Sequence, residues 1–300
     1  MVTEATTGPR TPIQSWSADH LVLSHFTLAR DHDVVDRIEA AAAAGYDGIG
    51  LLVDQYQALV AAGERDRLDE ALERAAMPLT DIEVLRGWAV GGRDDPDYRA
   101  QEDAVWEMAD RYGCRYVQAI CPTVDDPAAV GPAFAALCDR AADHGLVVGL
   151  EFVPYMAVGD LATACRVLDE ADRPNGGLCV DTWHLARSGG GAADLVDLGA
   201  DRVFGIQVND GPRRPPQPVT DLAGYVDDCL RRRRPPGSGD LDVAGVASTL
   251  LAAGVDVPWQ LEVCDDRAWG RPAIDHATAC AEGMRTLLAS IDEGGAPGAV

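Results

Sequence analysis

The chain has 300 residues, 47% of them apolar, and its 49 acidic against 25 basic residues give a net charge of −24. A surface this negative repels nucleic-acid backbones and anionic membranes, so we expect neither as a partner. No apolar stretch reaches the length of a membrane span, and the polar segment 1–18 lacks the apolar core of a signal peptide. The sequence therefore predicts a cytoplasmic protein.

The composition of both ends indicates flexible segments. We interpret residues 1–18 as a flexible leader and residues 292–300 as a flexible tail, which leaves 19–291 as a single domain. The eight cysteines include no C-x-x-C pair, and several lie in apolar helix or strand patterns. They are therefore expected to be buried, reduced thiols.

Short apolar runs alternate with Ala- and Leu-rich segments of helical periodicity along the whole domain. The helical segments include residues 34–45, 98–113 and 128–145, and several end on a glycine, as helices commonly do. The apolar runs predict eight strands, at residues 21–25, 46–52, 79–85, 114–120, 146–152, 176–181, 202–208 and 259–263. Almost continuously apolar strands are typical of a parallel sheet covered by helices. Eight such units in one domain of this length predict a (β/α)₈ TIM barrel.

One long segment, residues 210–240, follows the seventh predicted strand and is rich in proline and arginine. We expect it to be an irregular loop on the barrel face where active sites lie, and therefore a candidate lid. Its run Arg231–Arg234 is expected either to lie in solvent or to pair with some of the many acidic residues.

Four predicted strands close on an oxygen-bearing side chain. These residues are Glu151, Asp181, Gln207 and Glu262. The ends of consecutive barrel strands meet at one face, so the four side chains should converge. Three carboxylates and an amide at one point would repel unless a hard divalent cation lay between them. The pattern therefore predicts a metal site, although Glu151 alone could equally cap a helix or pair with an arginine.

The segments around these residues resemble one enzyme superfamily. LEFVPY, VDTWHLARSGG, FGIQVND and LEV are similar to the sugar phosphate isomerase/epimerase superfamily, the xylose isomerase-like TIM barrels. That group includes ketose 3-epimerases, inosose dehydratases and 3-dehydroshikimate dehydratases, and the resemblance extends from Leu21 to about Leu288. It implies that the four strand-end residues bind one divalent metal ion, that His184 and Arg213 contact the substrate, and that a homodimer could form.

Gln207 departs from the epimerase pattern, which usually has histidine at this position. The glutamine makes the ligand set all oxygen, which favours Mn²⁺ or Mg²⁺ over Co²⁺ or Zn²⁺. Some bacterial dehydroshikimate dehydratases resemble the chain in having glutamine there. The substitution therefore strengthens a dehydratase interpretation.

The resemblance implies removal of a proton next to a carbonyl group, with the metal stabilising the enediolate. In an isomerase or epimerase, Glu151 and Glu262 would take and return the proton; in a dehydratase, His184 is the better base. We expect a metal-dependent isomerase or epimerase acting on a sugar or another polyhydroxy carbonyl compound. The alternative is a dehydratase of the 3-dehydroshikimate or inosose type. A non-catalytic barrel and an apurinic endonuclease are remote alternatives.

Three further residues are candidate substrate contacts because of their positions. Arg187 begins the sixth loop, Glu83 ends the third strand and His25 ends the first. All three should lie at the same barrel mouth. Each could instead have a purely structural use.

Overall fold

The computed structural model describes residues 16–28 and 30–294. Eight parallel strands close into a barrel in chain order, each paired with its sequence neighbours and β1 paired with β8. This confirms the predicted TIM barrel. The strands are β1 Leu21–Leu23, β2 Gly48–Leu52, β3 Leu79–Leu85, β4 Tyr116–Ile120, β5 Val147–Glu151, β6 Gly176–Asp181, β7 Val203–Val208 and β8 Trp259–Leu261.

Helices surround the barrel and bury their apolar faces against it. They are α1 His25–Leu28, α2 Val34–Ala44, α3 Val53–Ala61, α4 Arg65–Ala75, α5 Pro96–Tyr112, α6 Val130–Ala142, α7 Leu161–Ala171, α8 Thr182–Arg187, α9 Leu222–Arg232, α10 Val243–Ala252 and α11 Ala273–Gly294. None of these helices is both long enough and apolar enough to cross a membrane.

Local sequence signals set the helix ends. The side chain of Asp33 accepts hydrogen bonds from the first backbone N–H groups of α2, and Asp95 does the same for α5, with Pro96 in the first turn. Gly45 and Gly113 end these two helices with φ of 74°, a conformation that glycine adopts without steric cost.

The structure differs from the sequence expectation at three places. The predicted loop 210–240 contains the helix α9, because Asp221 caps its start and residues four apart bury one face. Helix α11 continues to Gly294, three residues into the predicted tail; the rest of that tail, residues 295–300, and residues 1–15 of the predicted leader lie outside the described residues. Finally, β1 and β8 are short, so His25 and Glu262 follow their strands instead of ending them.

The barrel interior contains polar side chains as well as apolar ones. Asp81 and Glu83 point inward from β3 and are buried with Gln260 of β8. Gly50 on β2 makes room for them, since a Cβ atom there would lie 1.8 Å from Glu83 Oε1. All eight cysteines are free thiols and seven of them are buried, as expected.

Candidate metal and proton-transfer site

The strand register brings the candidate ligands to one end of the barrel. Glu151 ends β5 and Asp181 ends β6, and Asp181 is paired in register with Gln207 near the end of β7. Glu262 follows β8 directly. All four residues are buried.

Glu151, Asp181 and His184 form a compact group of possible metal ligands. Each offers one ligand atom, and these atoms all lie within 4.8 Å of one another. Helix α8 starts immediately after Asp181, whose carboxylate accepts hydrogen bonds from the backbone N–H groups of Trp183 at 2.6 Å and His184 at 3.1 Å. The D-x-x-H spacing therefore places both side chains together, and His184 Nε2 lies 3.1 Å from Glu151 Oε1.

Gln207 joins the group through a residue that the sequence interpretation missed. Gln118, on β4, donates a 2.6 Å hydrogen bond to Glu151 Oε2 and lies 3.4 Å from Gln207 Oε1. Gln207 in turn donates to Gln118 Oε1 at 3.3 Å. A single glutamine inside an otherwise apolar strand was the available signal for Gln118.

Glu262 is linked to the group by Arg233, whose side chain is fully buried. Arg233 Nη1 lies 2.8 Å from Asp181 Oδ2, 3.0 Å from the Glu262 carbonyl oxygen and 3.5 Å from Glu262 Oε2. Arg233 Nη2 lies 3.4 Å from His184 Nε2. Pairing with acids was one of the two expectations for the run Arg231–Arg234, but the sequence did not indicate that one of these arginines enters the site.

Burial and neighbouring charges shift the pKa values of two acids of this cluster in opposite directions. Burial raises the pKa of Asp181, but the positive charges of Arg233 and His184 outweigh it, and the net pKa is lowered. Burial is also the largest influence on Glu262, whose pKa is raised to about 7 despite Arg233. For His184, burial lowers the pKa, but the carboxylates of Asp181 and Glu151 raise it above its usual value.

The donor set suits a hard divalent cation. Three buried carboxylates face a single arginine, so the cluster has negative charge left to balance. Glu262 Oε2 has no hydrogen-bond partner among the described residues. A buried carboxylate oxygen without a partner is costly, and a bound cation would satisfy it.

Helix α9 covers the site with two of its side chains. The hydroxyl of Tyr225 is hydrogen-bonded to His184 Nδ1, and Cys229 Sγ accepts a 3.0 Å hydrogen bond from Arg233 Nη2. Arg233 follows the helix, eight residues after Tyr225, on the same buried side. The segment expected to be a loop therefore supplies Arg233, which contacts Asp181, and Tyr225, which contacts His184.

The structure does not bring the two predicted substrate arginines into the cluster. The side chain of Arg187 is 6% exposed and pairs with Asp228. It lies 3.9 Å above the Trp183 ring and donates to the backbone carbonyls of Pro212 and Arg213. The side chain of Arg213 is exposed. Arg187 therefore already has protein partners and Arg213 lies at the surface, and their substrate contacts stay a prediction.

His25 and Glu83 make their hydrogen bonds with a different set of residues. Glu83 accepts hydrogen bonds from the Ser24 hydroxyl, the His25 backbone N–H and Gln260. The His25 ring faces the buried Arg37, whose Nη1 lies 2.7 Å from His25 Nδ1, and burial followed by this charge lowers the pKa of His25. These contacts give both residues a structural use.

Comparison with known proteins identifies related barrels. The family model described as "Xylose isomerase-like TIM barrel" matches residues 38–289. A 3-dehydroshikimate dehydratase of Pseudomonas aeruginosa is 27% identical over 268 residues, and one of Pseudomonas putida is 25% identical over 271 residues. Each match covers 87% of this chain but 40% of the relative, so the chain spans less than half the length of these dehydratases.

Two further relatives are similar in sequence or in fold. An L-ribulose 3-epimerase of Methylomonas sp. is 29% identical over 191 residues, which is 59% of this chain and 66% of the epimerase. A crystal structure of "IOLI protein with a binding zinc atom" superposes with a TM-score of 0.78 at 18% identity, covering 91% of this chain and 99% of that one. At that identity, the superposition shows a shared fold only.

Proposed function

Because the chain belongs to the xylose isomerase-like TIM barrel family, we propose that it is a divalent-metal-dependent lyase that dehydrates a 3-dehydroshikimate-like hydroxyketone. The observation that carries the proposal is the position of His184, an imidazole held between Tyr225 and Glu151 beside buried carboxylates. The two dehydratase relatives, each matched over 87% of this chain, support this alternative over the isomerase that we expected first.

We assign the metal to Glu151, Asp181, Gln207 and Glu262, with Mn²⁺ or Mg²⁺ as the ion. When bound, such an ion supplies a Lewis acid for the carbonyl oxygen of the substrate. His184 lies close enough to Glu151 and Asp181 to be a ligand as well. We assign His184 to proton transfer instead, because the four oxygen donors already form a hard set and an imidazole is the usual acid–base group near neutral pH.

Dehydration requires one proton acceptor and one departing hydroxyl group. His184 Nε2, in its neutral form, takes a proton from the carbon next to the carbonyl. The hydroxyl on the following carbon then leaves with that proton, so that the products are the unsaturated compound and one water molecule. Glu151, 3.1 Å from Nε2, stabilises the imidazolium that forms in between, while the Tyr225 hydroxyl keeps the ring oriented through Nδ1.

The direct test is incubation of the purified, Mn²⁺-loaded protein with 3-dehydroshikimate. Loss of water from this cyclohexenone and rearrangement of its double bonds leave an aromatic dihydroxybenzoate, which can be followed by ultraviolet absorbance. We expect an aromatic product in stoichiometric amount and none with the metal-free protein. If the protein leaves 3-dehydroshikimate unchanged, the dehydratase proposal is wrong for this substrate.

A ketose 3-epimerase is the second candidate function. It is favoured by the similarity to L-ribulose 3-epimerase and by the two buried glutamates, Glu151 and Glu262, that could exchange a proton. Incubation with L-ribulose in D₂O distinguishes the two candidates. An epimerase would produce the epimer with deuterium at carbon 3, whereas the proposed lyase should leave L-ribulose unchanged.

A further inference from the structure

A buried aspartate outside the proposed metal site organises the segment that carries Arg233. Asp210 follows β7 and is 2% exposed. Its Oδ1 accepts hydrogen bonds from the backbone N–H groups of Gly211 at 2.7 Å and Leu241 at 3.0 Å. Its Oδ2 accepts from Gly237 at 3.0 Å and Gly239 at 2.9 Å. One carboxylate thus satisfies four backbone donors, three of which belong to residues 235–241, which we name the clamp loop.

The backbone of Asp210 also holds the residue after Arg233. The N–H of Asp210 donates to the Arg234 carbonyl, and the N–H of Arg234 donates to the Asp210 carbonyl, both at 2.8 Å. On the opposite side, the N–H of Arg233 donates to the Cys264 carbonyl at 3.1 Å. Arg233 therefore lies in a short extended stretch, fixed on one side by the chain that follows β7 and on the other by the chain that follows β8.

The clamp loop is packed so closely on Asp210 that one position accepts only glycine. A Cβ atom on Gly239 would lie 2.3 Å from the Gly211 nitrogen and 2.4 Å from Asp210 Oδ1. Real Cβ atoms do not approach other heavy atoms this closely, and the obstructing backbone cannot move aside. The close packing of Gly239 on Asp210 and Gly211 is thus a second feature, independent of the hydrogen bonds, that fixes the clamp loop against Asp210.

We propose that Asp210 is a positioning residue: by holding the clamp loop and the Arg233–Arg234 backbone, it keeps the Arg233 guanidinium between Asp181 and Glu262. Asp210 itself does not touch those carboxylates; its effect passes through Arg233, which lies 2.8 Å from Asp181 and 3.5 Å from Glu262. The inference rests on the proposed function for its metal site and its kinetic consequence, but the positioning of Arg233 between the two carboxylates does not depend on which substrate is used.

The substitution Asp210→Asn tests this role with little change in shape. The amide keeps one acceptor oxygen but replaces the other with an NH₂ group, which faces backbone donors and repels them. Asp242→Asn is the matched control, because Asp242 also accepts a backbone N–H, from Gly245 at 3.1 Å, but does so at the exposed start of α10. Gly239→Ala is a second variant that disturbs the same contact without altering a charge.

Three measurements follow the effect from the loop to the site. In hydrogen–deuterium exchange, the amides of Gly237, Gly239 and Leu241 should exchange faster in Asp210→Asn and Gly239→Ala than in the wild type or the control. Mn²⁺ alone, titrated into the metal-free protein, should bind severalfold more tightly in Asp210→Asn and in Arg233→Met, because a positive charge no longer lies fixed beside the ion. With substrate, kcat should fall on the order of 10²-fold while KM changes less, as expected for a group displaced by about 1 Å.

A double-mutant cycle separates positioning from general stabilisation. Residues that act as a unit are not additive, so Asp210→Asn combined with Arg233→Met should be no slower than Arg233→Met alone. Additive losses in kcat would overturn the proposal, as would faster loop exchange without any change in Mn²⁺ affinity. Unchanged hydrogen–deuterium exchange in both Asp210→Asn and Gly239→Ala would overturn it as well. If the wild type does not dehydrate 3-dehydroshikimate, the proposed function fails, while the exchange and Mn²⁺ measurements still decide the role of Asp210.

Discussion

Two groups of buried carboxylates lie inside the same barrel, and they have opposite surroundings. The inner pair consists of Asp81 and Glu83 on β3. The mouth cluster consists of Glu151, Asp181 and Glu262 at the carboxyl ends of β5, β6 and β8. Both groups are removed from water, so burial alone does not distinguish a structural acid from a functional one.

The inner pair is satisfied by neutral groups. Gln260 Nε2 donates to Asp81 Oδ2 at 2.7 Å and to Glu83 Oε1 at 2.9 Å, and Ser24 and a backbone N–H complete the shell of Glu83. Within the described part of the chain, neither carboxylate has an ion-pair partner. Burial raises the pKa of Asp81 to about 7 and that of Glu83 well above its usual value, which favours the uncharged acids.

The mouth cluster faces one arginine and one histidine, and one of its oxygens still lacks a hydrogen-bond partner within the described residues. Arg233 lies against Asp181, His184 lies against Glu151, and Glu262 Oε2 accepts no hydrogen bond within the described residues. Opposite charges keep Asp181 ionised, as a metal ligand must be. Partner charges and an unsatisfied oxygen, more than burial, therefore identify the candidate site.

An aspartate-to-asparagine substitution should reduce metal binding and activity far more in the mouth cluster than in the inner pair. Asp181→Asn removes a proposed charged ligand and leaves the buried Arg233 without its nearest charge partner, so that only Glu262 at 3.5 Å remains. We expect loss of the bound ion and of more than about 10³-fold in kcat/KM, as well as a metal-free protein destabilised by about 3–5 kcal/mol. Asp81→Asn should keep one Mn²⁺ per chain by elemental analysis. Equal metal content in the two variants would show that the mouth cluster is not the metal site.

His184 provides the next largest effect. His184→Ala removes the proposed base but none of the assigned ligands, so we expect metal binding to persist while kcat falls by roughly 10²–10⁴-fold. His144→Ala is the control, since His144 stacks on Trp106 with ring centroids 4.7 Å apart and contacts no residue of the mouth cluster. Normal turnover by His184→Ala would mean that this imidazole only packs beside the carboxylates.

Asp81 should respond to pH in a way that Asp181 does not, because burial raises the pKa of Asp81 while opposite charges lower that of Asp181. An acid whose pKa is raised on folding destabilises the folded state once it ionises. For Asp81, this cost begins above the unfolded value near 4 and is complete above about 7. In urea unfolding at pH 8, Asp81→Asn should therefore be more stable than the wild type, by at most about 4 kcal/mol. The advantage should disappear towards pH 4; a destabilised variant at pH 8 would contradict a neutral inner pair.

The sequence predicted the barrel and the strand-end residues because both follow from local patterns. Alternating apolar runs indicated the strands, and Asp181 and His184 are three residues apart at the start of one helix. Arg233 could not be predicted in this way. It contacts Asp181 across 52 positions of sequence, and only the fold of the segment after β7 decides which member of a run of four arginines is buried.

Tyr225 could not be predicted for the same reason, since it lies 41 positions from His184 in a segment that we expected to be irregular.

Substitution of Tyr225 should have the smallest effect of those considered. Tyr225→Phe keeps the ring but removes the hydrogen bond to His184 Nδ1, so the imidazole loses its orienting partner while the carboxylates and Arg233 remain in place. A single hydrogen bond contributes about 1 kcal/mol, and we therefore expect kcat to fall about fivefold with Mn²⁺ affinity unchanged. Tyr98→Phe, which removes a buried tyrosine hydroxyl from Glu102 and Arg140 instead, should leave kcat unaltered. A loss in Tyr225→Phe as large as that in His184→Ala would indicate that the hydroxyl itself transfers the proton.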